Sequence, residues 1–285
     1  MSATGLQNHE RVAPIEVAPL PITPRPGILI PAATLWWREI VRFYRSRGRV
    51  AGVILSPLLF WLVIGSGFGT SFHGGGTGGG TNYLEYFFPG ALTMIVLFTS
   101  IFAMMSVIED RKEGFLLSVL VAPVHRSVIV LGKVLGGATL AAIQGAVFLV
   151  FTPLLRGAHV GADNVLPILL TIFLVAFALT ALGFAIAWPM DSTQAFHAII
   201  NLFLIPLWLL SGALFPLSGA SGWIRGVMYA NPLTYGVEAL RTLMYPDAPS
   251  AFSLTASLLT LVLFALFMFG LAFVLVNRRT TQPAA

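Results

Sequence analysis

The sequence predicts an all-α membrane protein with six transmembrane helices. An interfacial helix precedes them, a short cytoplasmic surface helix follows the second, and an external re-entrant helical hairpin precedes the last. Three observations lead there. Hydrophobic residues make up 57% of the chain and charged residues only 9%, with a mean hydropathy of +0.88, whereas a soluble domain has about a quarter of its residues charged. Between Val50 and Ile108 the only Asp, Glu, Lys or Arg is Glu85, and a soluble chain with elements that long needs a polar face toward water. The basic residues, finally, are confined to a few connecting segments.

The first thirty residues hold Pro14, Pro19, Pro21, Pro24 and Pro26 and have neither the basic start nor the apolar run of a secretory signal peptide. Residues 1–30 therefore read as a disordered cytoplasmic tail. From Pro31 to Arg49, Trp37, Ile40, Val41 and Tyr44 recur at i, i+3, i+4, i+7, with Arg38, Arg42, Arg45 and Arg49 on a neighbouring stripe. This predicts an interfacial helix whose aromatics lie at headgroup level and whose arginines face anionic lipid or a cytoplasmic partner. A snorkelling anchor without a partner has the same pattern.

Runs long enough to cross a bilayer, about 20 residues each, extend over Val50–Phe68, Phe87–Ile108, Val134–Leu155, Val165–Trp188, Phe196–Phe215 and Ala251–Val276. Six spans put both termini on one side, with a membrane domain over residues 31–279 and a short tail over 280–285. With that side as the cytoplasm, 13 Lys and Arg lie inside and only Arg156, Arg225 and Arg241 outside. The positive-inside rule then places both termini in the cytoplasm, so the pI of about 10.0 reflects topology and not nucleic-acid binding. The glycine-rich stretch between His73 and Asn82 lacks the lysine and following helix of a phosphate-binding loop and reads as a flexible external linker.

Residues Glu109–Lys133 form the charged internal loop. It opens Glu109, Asp110, Arg111, Lys112, Glu113, Gly114 and continues with an apolar run, Phe115–Ala122, too short to span and broken by Pro123. The run predicts a short helix at the cytoplasmic surface; a plain amphipathic loop helix has the same signature. Between Ser211 and Tyr245, Pro216, Gly219, Gly222 and Pro232 divide an irregular segment into two short helical pieces. Neither piece is able to cross the bilayer, which predicts re-entry from the external side. Within the second piece Glu238 and Arg241 share a face at i, i+3 and can pair, half-buried in lipid, where an unpaired charge costs about 3 kcal/mol.

Polar residues inside the spans are few. Gln144 lies in the third, and His197 and Asn201 share a face of the fifth at i, i+4. They suit either a substrate path or subunit interface, or hydrogen bonds that merely fix packing. The Gly65–Gly69 and Gly132–Gly136 spacings suit close helix packing.

Several chemistries are excluded. No cysteine is present, so disulfides and thiolate sites are absent. Gly132-Lys133 has Ser127 where a phosphate-binding loop needs Gly and Val134 where it needs Ser or Thr, so ATP must be bound elsewhere. His73, His125, His159 and His197 are scattered, giving no metal-protease pattern. An ion-coupled secondary transporter or a channel-like protein is the alternative class. Ion coupling requires carboxylates or other ionisable groups near the bilayer midplane, and none of the six predicted spans contains Asp or Glu. An intramembrane enzyme needs a nucleophile and base or paired carboxylates on one cavity, and only His197 is central enough.

The two irregular regions, in this order around six spans, resemble the membrane subunits of type-2 ATP-binding-cassette exporters over nearly all of Pro31–Arg279. The resemblance rests on Pro89-Gly90 near the start of the second span, on Glu109–Gly114 followed by Leu120, Val121, Ala122, Pro123 and Val124, and on the later series Gly212, Phe215, Pro216, Asn231, Pro232, Glu238 and Arg241. Within that family the LeuValAlaProVal and AsnProLeuThrTyr strings look most like the drug-resistance and nodulation-factor exporters. The resemblance implies that Glu109, Arg111, Glu113, Gly114, Leu120 and Pro123 belong to a coupling helix docked on a cytoplasmic ATPase. Leu117 stands where the family usually carries a polar or acidic residue. It implies that Gly212, Pro216, Asn231, Pro232, Glu238 and Arg241 form the external hairpin. It further implies a permease without catalysis or cofactor of its own, with ATP and magnesium held by the ATPase chains. A second permease copy, identical or homologous, would pair through spans one, two and five in the bacterial inner membrane.

Overall fold

The computed structural model describes residues 27–45, 47–68, 83–155 and 157–278. The glycine-rich linker, most of the N-terminal tail and the tail after Arg278 lie outside the described residues. Among the described residues every regular element is helical. These are α1 (Leu29–Arg45), α2 (Arg47–Phe68), α3 (Tyr83–Lys112), α4 (Phe115–Val121), α5 (Ser127–Phe148), α6 (Val165–Ala187), α7 (Thr193–Trp208), α8 (Gly222–Ala230), α9 (Pro232–Met244) and α10 (Leu254–Asn277). A tightened turn, Leu149–Leu154, extends α5, and an irregular turn, Leu209–Ala213, extends α7.

Five of these helices are long and apolar enough to cross a membrane: α3, α5 with its extension, α6, α7 with its extension, and α10. The sixth expected span corresponds to α2, whose described apolar part runs from Pro57 to Phe68. Its Trp61 is fully buried and its indole N–H donates to the Leu84 carbonyl at 3.0 Å. Around it Trp61, Phe88 and Phe148 bring α2, α3 and α5 together, with ring centroids 4.9 to 5.6 Å apart. Such aromatic pairs contribute about 0.5–1.5 kcal/mol each beyond burial.

The 30-residue α3 is the central helix, touching α2, α4, α5, α6, α7 and α9. At about 1.5 Å per residue it is about 45 Å long, well beyond the hydrocarbon thickness of about 30 Å. It is therefore long enough for its ends to reach both interfaces. Glu109–Lys112, expected in a loop, are its last turn, and Lys133, also expected there, is buried within α5. The connection proper is only 113–126. Helix propagation explains the difference: neither sequence has a breaker at the expected boundary, and the breaking signals are Gly114 and Pro123. Starts are set by caps at α7 and α10, where Ser192 and Ser253 accept from the N–H groups of Ala195 and Ala256.

α1 is amphipathic as expected, but two of its arginines point elsewhere. Trp37, Val41 and Tyr44 are exposed, as an interfacial helix requires, while Ala32, Leu35, Glu39 and Phe43 form its buried stripe. That stripe lies on α5 at Gly132 and Gly136. A Cβ there would sit 2.6 Å from Leu35 Cβ and 2.8 Å from Glu39 Cβ, so only glycine permits this approach. Arg38 and Arg42, expected to face lipid or a partner, instead turn toward the end of α3.

One end of the bundle gathers α4, the α6–α7 turn and the end of α10, where Arg126 reaches the Val276 carbonyl at 3.5 Å. The other gathers the start of α3, α8 and α9. There Asn164, ahead of α6, donates to the Leu243 carbonyl at 3.0 Å. Neither α8 nor the 13-residue α9, about 20 Å long, is long enough to cross.

Candidate functional site

Two assemblies of polar residues occupy the two ends of the bundle. The first surrounds the junction of α3 and α4. Gly114 joins them at φ +76, a left-handed conformation that an L side chain adopts only with strain. α4 then runs for 7 residues and stops where Ala122 becomes extended ahead of Pro123. Leu116 is buried beneath it, whereas Leu117 is 66% exposed and Val121 78%, with Leu120 and Pro123 on the surface beside them. Glu113 is exposed too.

Glu109, Asp110 and Arg111 turn inward instead, each toward a different element. Glu109 accepts from Arg42 at 2.7 Å. Asp110, fully buried, accepts from both Arg38 nitrogens at 2.9 and 2.8 Å, from Arg42 at 2.6 Å and from Lys133. Lys133, 1% exposed, also donates to Glu39 at 2.6 Å and Ser106 at 3.0 Å. The Arg38 guanidinium lies 3.7 Å over the Phe115 ring, so α1 holds the first residue of α4 as well. Its bonds to Asp110 hold the Arg38 pKa above its usual value, against the opposing effect of burial. Arg111 donates to the carbonyls of Trp188 and Met190 and to Asp191. The expected ATPase contacts at Glu109 and Arg111 are thus engaged within the subunit, while Glu113, Leu120 and Pro123 remain on the surface.

Sequence reasoning passed over Glu39, Asp110 and Lys133 as a group. A signal existed: Glu39 stands four residues after Leu35 and four before Phe43, a carboxylate on the apolar stripe of α1. Such a group is buried only when paired, and Lys133 stands in an apolar run with the same requirement.

The second assembly surrounds α8 and α9, the two short helices expected as an external hairpin. Asn231 caps α9, its carboxamide accepting from Leu233 N–H at 2.9 Å while donating to the Leu207 and Leu210 carbonyls at 2.6 and 3.0 Å. Pro232 follows at the first helical position, where its missing N–H costs nothing. Gly212, at φ +79, turns its carbonyl toward Tyr86 and Arg241, which donate to it at 3.0 and 2.9 Å. Arg241 also pairs with Glu238, and its guanidinium lies 4.4 Å from the Tyr86 ring centre. Glu238 further accepts from the Ala251 N–H at 3.1 Å and the Ser250 hydroxyl at 3.2 Å. Expected half in lipid, the pair is buried in protein, Glu238 at 2% and Arg241 at 6% exposure, because α3, α10 and the turn after α7 close over α9. Pro216 adopts an extended conformation leading into the Leu217–Gly219 turn.

The three mid-span polar residues do not meet. Gln144 is buried between helices and accepts from the Thr99 hydroxyl at 3.0 Å, in the core of the subunit. His197 and Asn201 lie on the exposed face of α7, the imidazole 5.5 Å from the Phe102 ring.

Residues 32–245 match the profile of the ABC-2 type transporter family. A chain named as transport permease ycf38 of Cyanophora paradoxa is 30% identical over 199 residues, which cover 67% of this chain and 66% of that one, just under two thirds of its length. Nodulation protein J of Neorhizobium galegae is 24% identical over 90% of this chain and 97% of its own. The daunorubicin resistance ABC transporter permease protein DrrB1 of Streptomyces coeruleorubidus is 23% identical over 74% of each. With the match spanning most of the chain and both polar assemblies, this protein belongs to the ABC-2 type transporter family of membrane permeases.

Proposed function

We propose that the chain is the membrane half of an ATP-driven exporter in a bacterial inner membrane, with six spans and both termini in the cytoplasm. Two copies pair, and each docks one cytoplasmic ATPase chain that binds ATP and magnesium. The exposed face of α4 carries this reading. Leu117, Leu120 and Val121 stand on a short helix among charged groups, at the end of the bundle where 13 of the 16 basic residues belong by the positive-inside rule. Lipid does not cover such a face, whereas a protein groove does. The substrate is hydrophobic or amphipathic, in keeping with the names of the nodulation and daunorubicin-resistance relatives. His197 and Asn201, polar on the outer face of a spanning helix, require cover by a second copy or a wet path.

The test is co-purification of the tagged chain with the ATP-binding-cassette ATPase chains of the cell that makes it. Leu117→Asp combined with Val121→Asp leaves the protein in the membrane and abolishes co-purification and transport-linked ATP hydrolysis. Retention of both would overturn α4 as the docking element, and failure of the unaltered chain to hold any ATPase would overturn the exporter reading.

A further inference from the structure

Between the end of α6 at Ala187 and the start of α7 at Thr193 the chain makes one tight turn. Helix ends leave main-chain carbonyls that other groups must satisfy, and the Trp188 and Met190 carbonyls just past α6 meet a side chain from another element. Arg111 extends from the last turn of α3 and donates through one nitrogen to the Trp188 carbonyl and through the other to the Met190 carbonyl at 3.1 Å and to Asp191 at 3.0 Å. Its guanidinium also lies 5.2 Å from the Trp188 ring centre. A cation at a helix C-terminus complements the helix dipole, and a planar fork spans two main-chain acceptors as an ammonium cannot.

The position of Arg111 gives this clamp a consequence. It stands three residues before Gly114, in the same turn whose neighbours Glu109 and Asp110 hold α1 and α5. The turn it grips leads within a few residues to α7, whose exposed face carries Gln194, His197 and Asn201.

We infer that Arg111 is a positioning residue of the transport cycle: it carries displacement of α4 across to α7 and does not itself contact the ATPase. This rests on α4 being the docking element. The main-chain bonds carry the link. Asp191 is 80% exposed, so its ion pair contributes little.

The absence of cysteine allows a direct test. Ala198→Cys places a single thiol on the exposed face of α7, and its rate of maleimide modification is compared with and without vanadate trapping of the co-purified ATPase. The unaltered background shows a nucleotide-dependent change of about fivefold or more, the lower range of ordinary site-to-site coupling. With Arg111→Gln the ATPase still co-purifies and the nucleotide-free rate is unchanged, but the nucleotide-dependent change falls below about twofold. Arg111→Lys is intermediate and Asp191→Asn retains the change. An Arg111→Gln variant that keeps the full change overturns the inference. So does a background that binds the ATPase and shows none, or an altered nucleotide-free rate in both Arg111 variants, which would mark a purely structural residue. Loss of ATPase binding by the unaltered chain refutes the docking reading instead.

Discussion

Replacing Lys133 by methionine tests the charge cluster that joins α1, α3 and α5. The Lys133 ammonium is 1% exposed and holds Glu39 at 2.6 Å, Ser106 at 3.0 Å and Asp110. After its removal Asp110 keeps Arg38 and Arg42, but Glu39, 4% exposed, retains only Ser106 and an Arg38 nitrogen at 3.5 Å. Breaking a buried pair costs about 3–5 kcal/mol. The two arginines left on Asp110 put Lys133→Met at the lower end, about 3 kcal/mol. Glu39→Gln combined with Lys133→Met removes one charge of each sign, so the double variant should be less destabilised than the sum of the singles by about 1–2 kcal/mol. Reversible unfolding in mixed micelles, followed by tryptophan fluorescence, measures all three. A Lys133→Met variant within about 1 kcal/mol of the parent, or strict additivity, would refute a buried, mutually compensating cluster.

Two further outcomes follow from the other polar features. Glu238→Gln and Arg241→Gln each leave a buried charge without its partner, so each should lower folded yield and export more than the double change does; a double-mutant cycle at matched membrane levels reads the coupling, and additive losses would argue against the pair. Gly114→Val forces a β-branched residue to φ +76 at a cost of about 1–2 kcal/mol, although no atom crowds the site. It should weaken transport-linked ATP hydrolysis while Gly114→Asn, which tolerates that conformation, restores most of it. Equal effects of Val and Asn would remove the backbone explanation.

Much of this architecture was legible because lipid imposes a simple rule. Apolar runs of sufficient length must be helices, so α3, α5, α6, α7 and α10 could be placed from composition alone. The breakers did the same for local features: Gly114 and Pro123 bound α4, and Pro216, Gly222 and Pro232 divide the segment that becomes α8 and α9. The i, i+3 spacing of Glu238 and Arg241 put the two groups within reach before any packing was known.

What the amino-acid order determined by itself was the class of protein, the set of helices and the sites where the chain must bend, since each depends on neighbours within one or two helical turns. The tertiary structure alone decided which charges face inward. Glu39, Asp110 and Lys133 are separated by 71 and 23 positions but meet in one buried cluster, and Arg111 finds its acceptors 77 and 79 residues away. Such partners depend on which helices pack together and at what rotation about their axes. Close approaches at residues such as Gly132 and Gly136 set that rotation. A helical period shows that a side chain lies on a given stripe, but not what the stripe meets. Arginines that read as facing lipid or a partner thus became the ties that hold α1 to the end of α3.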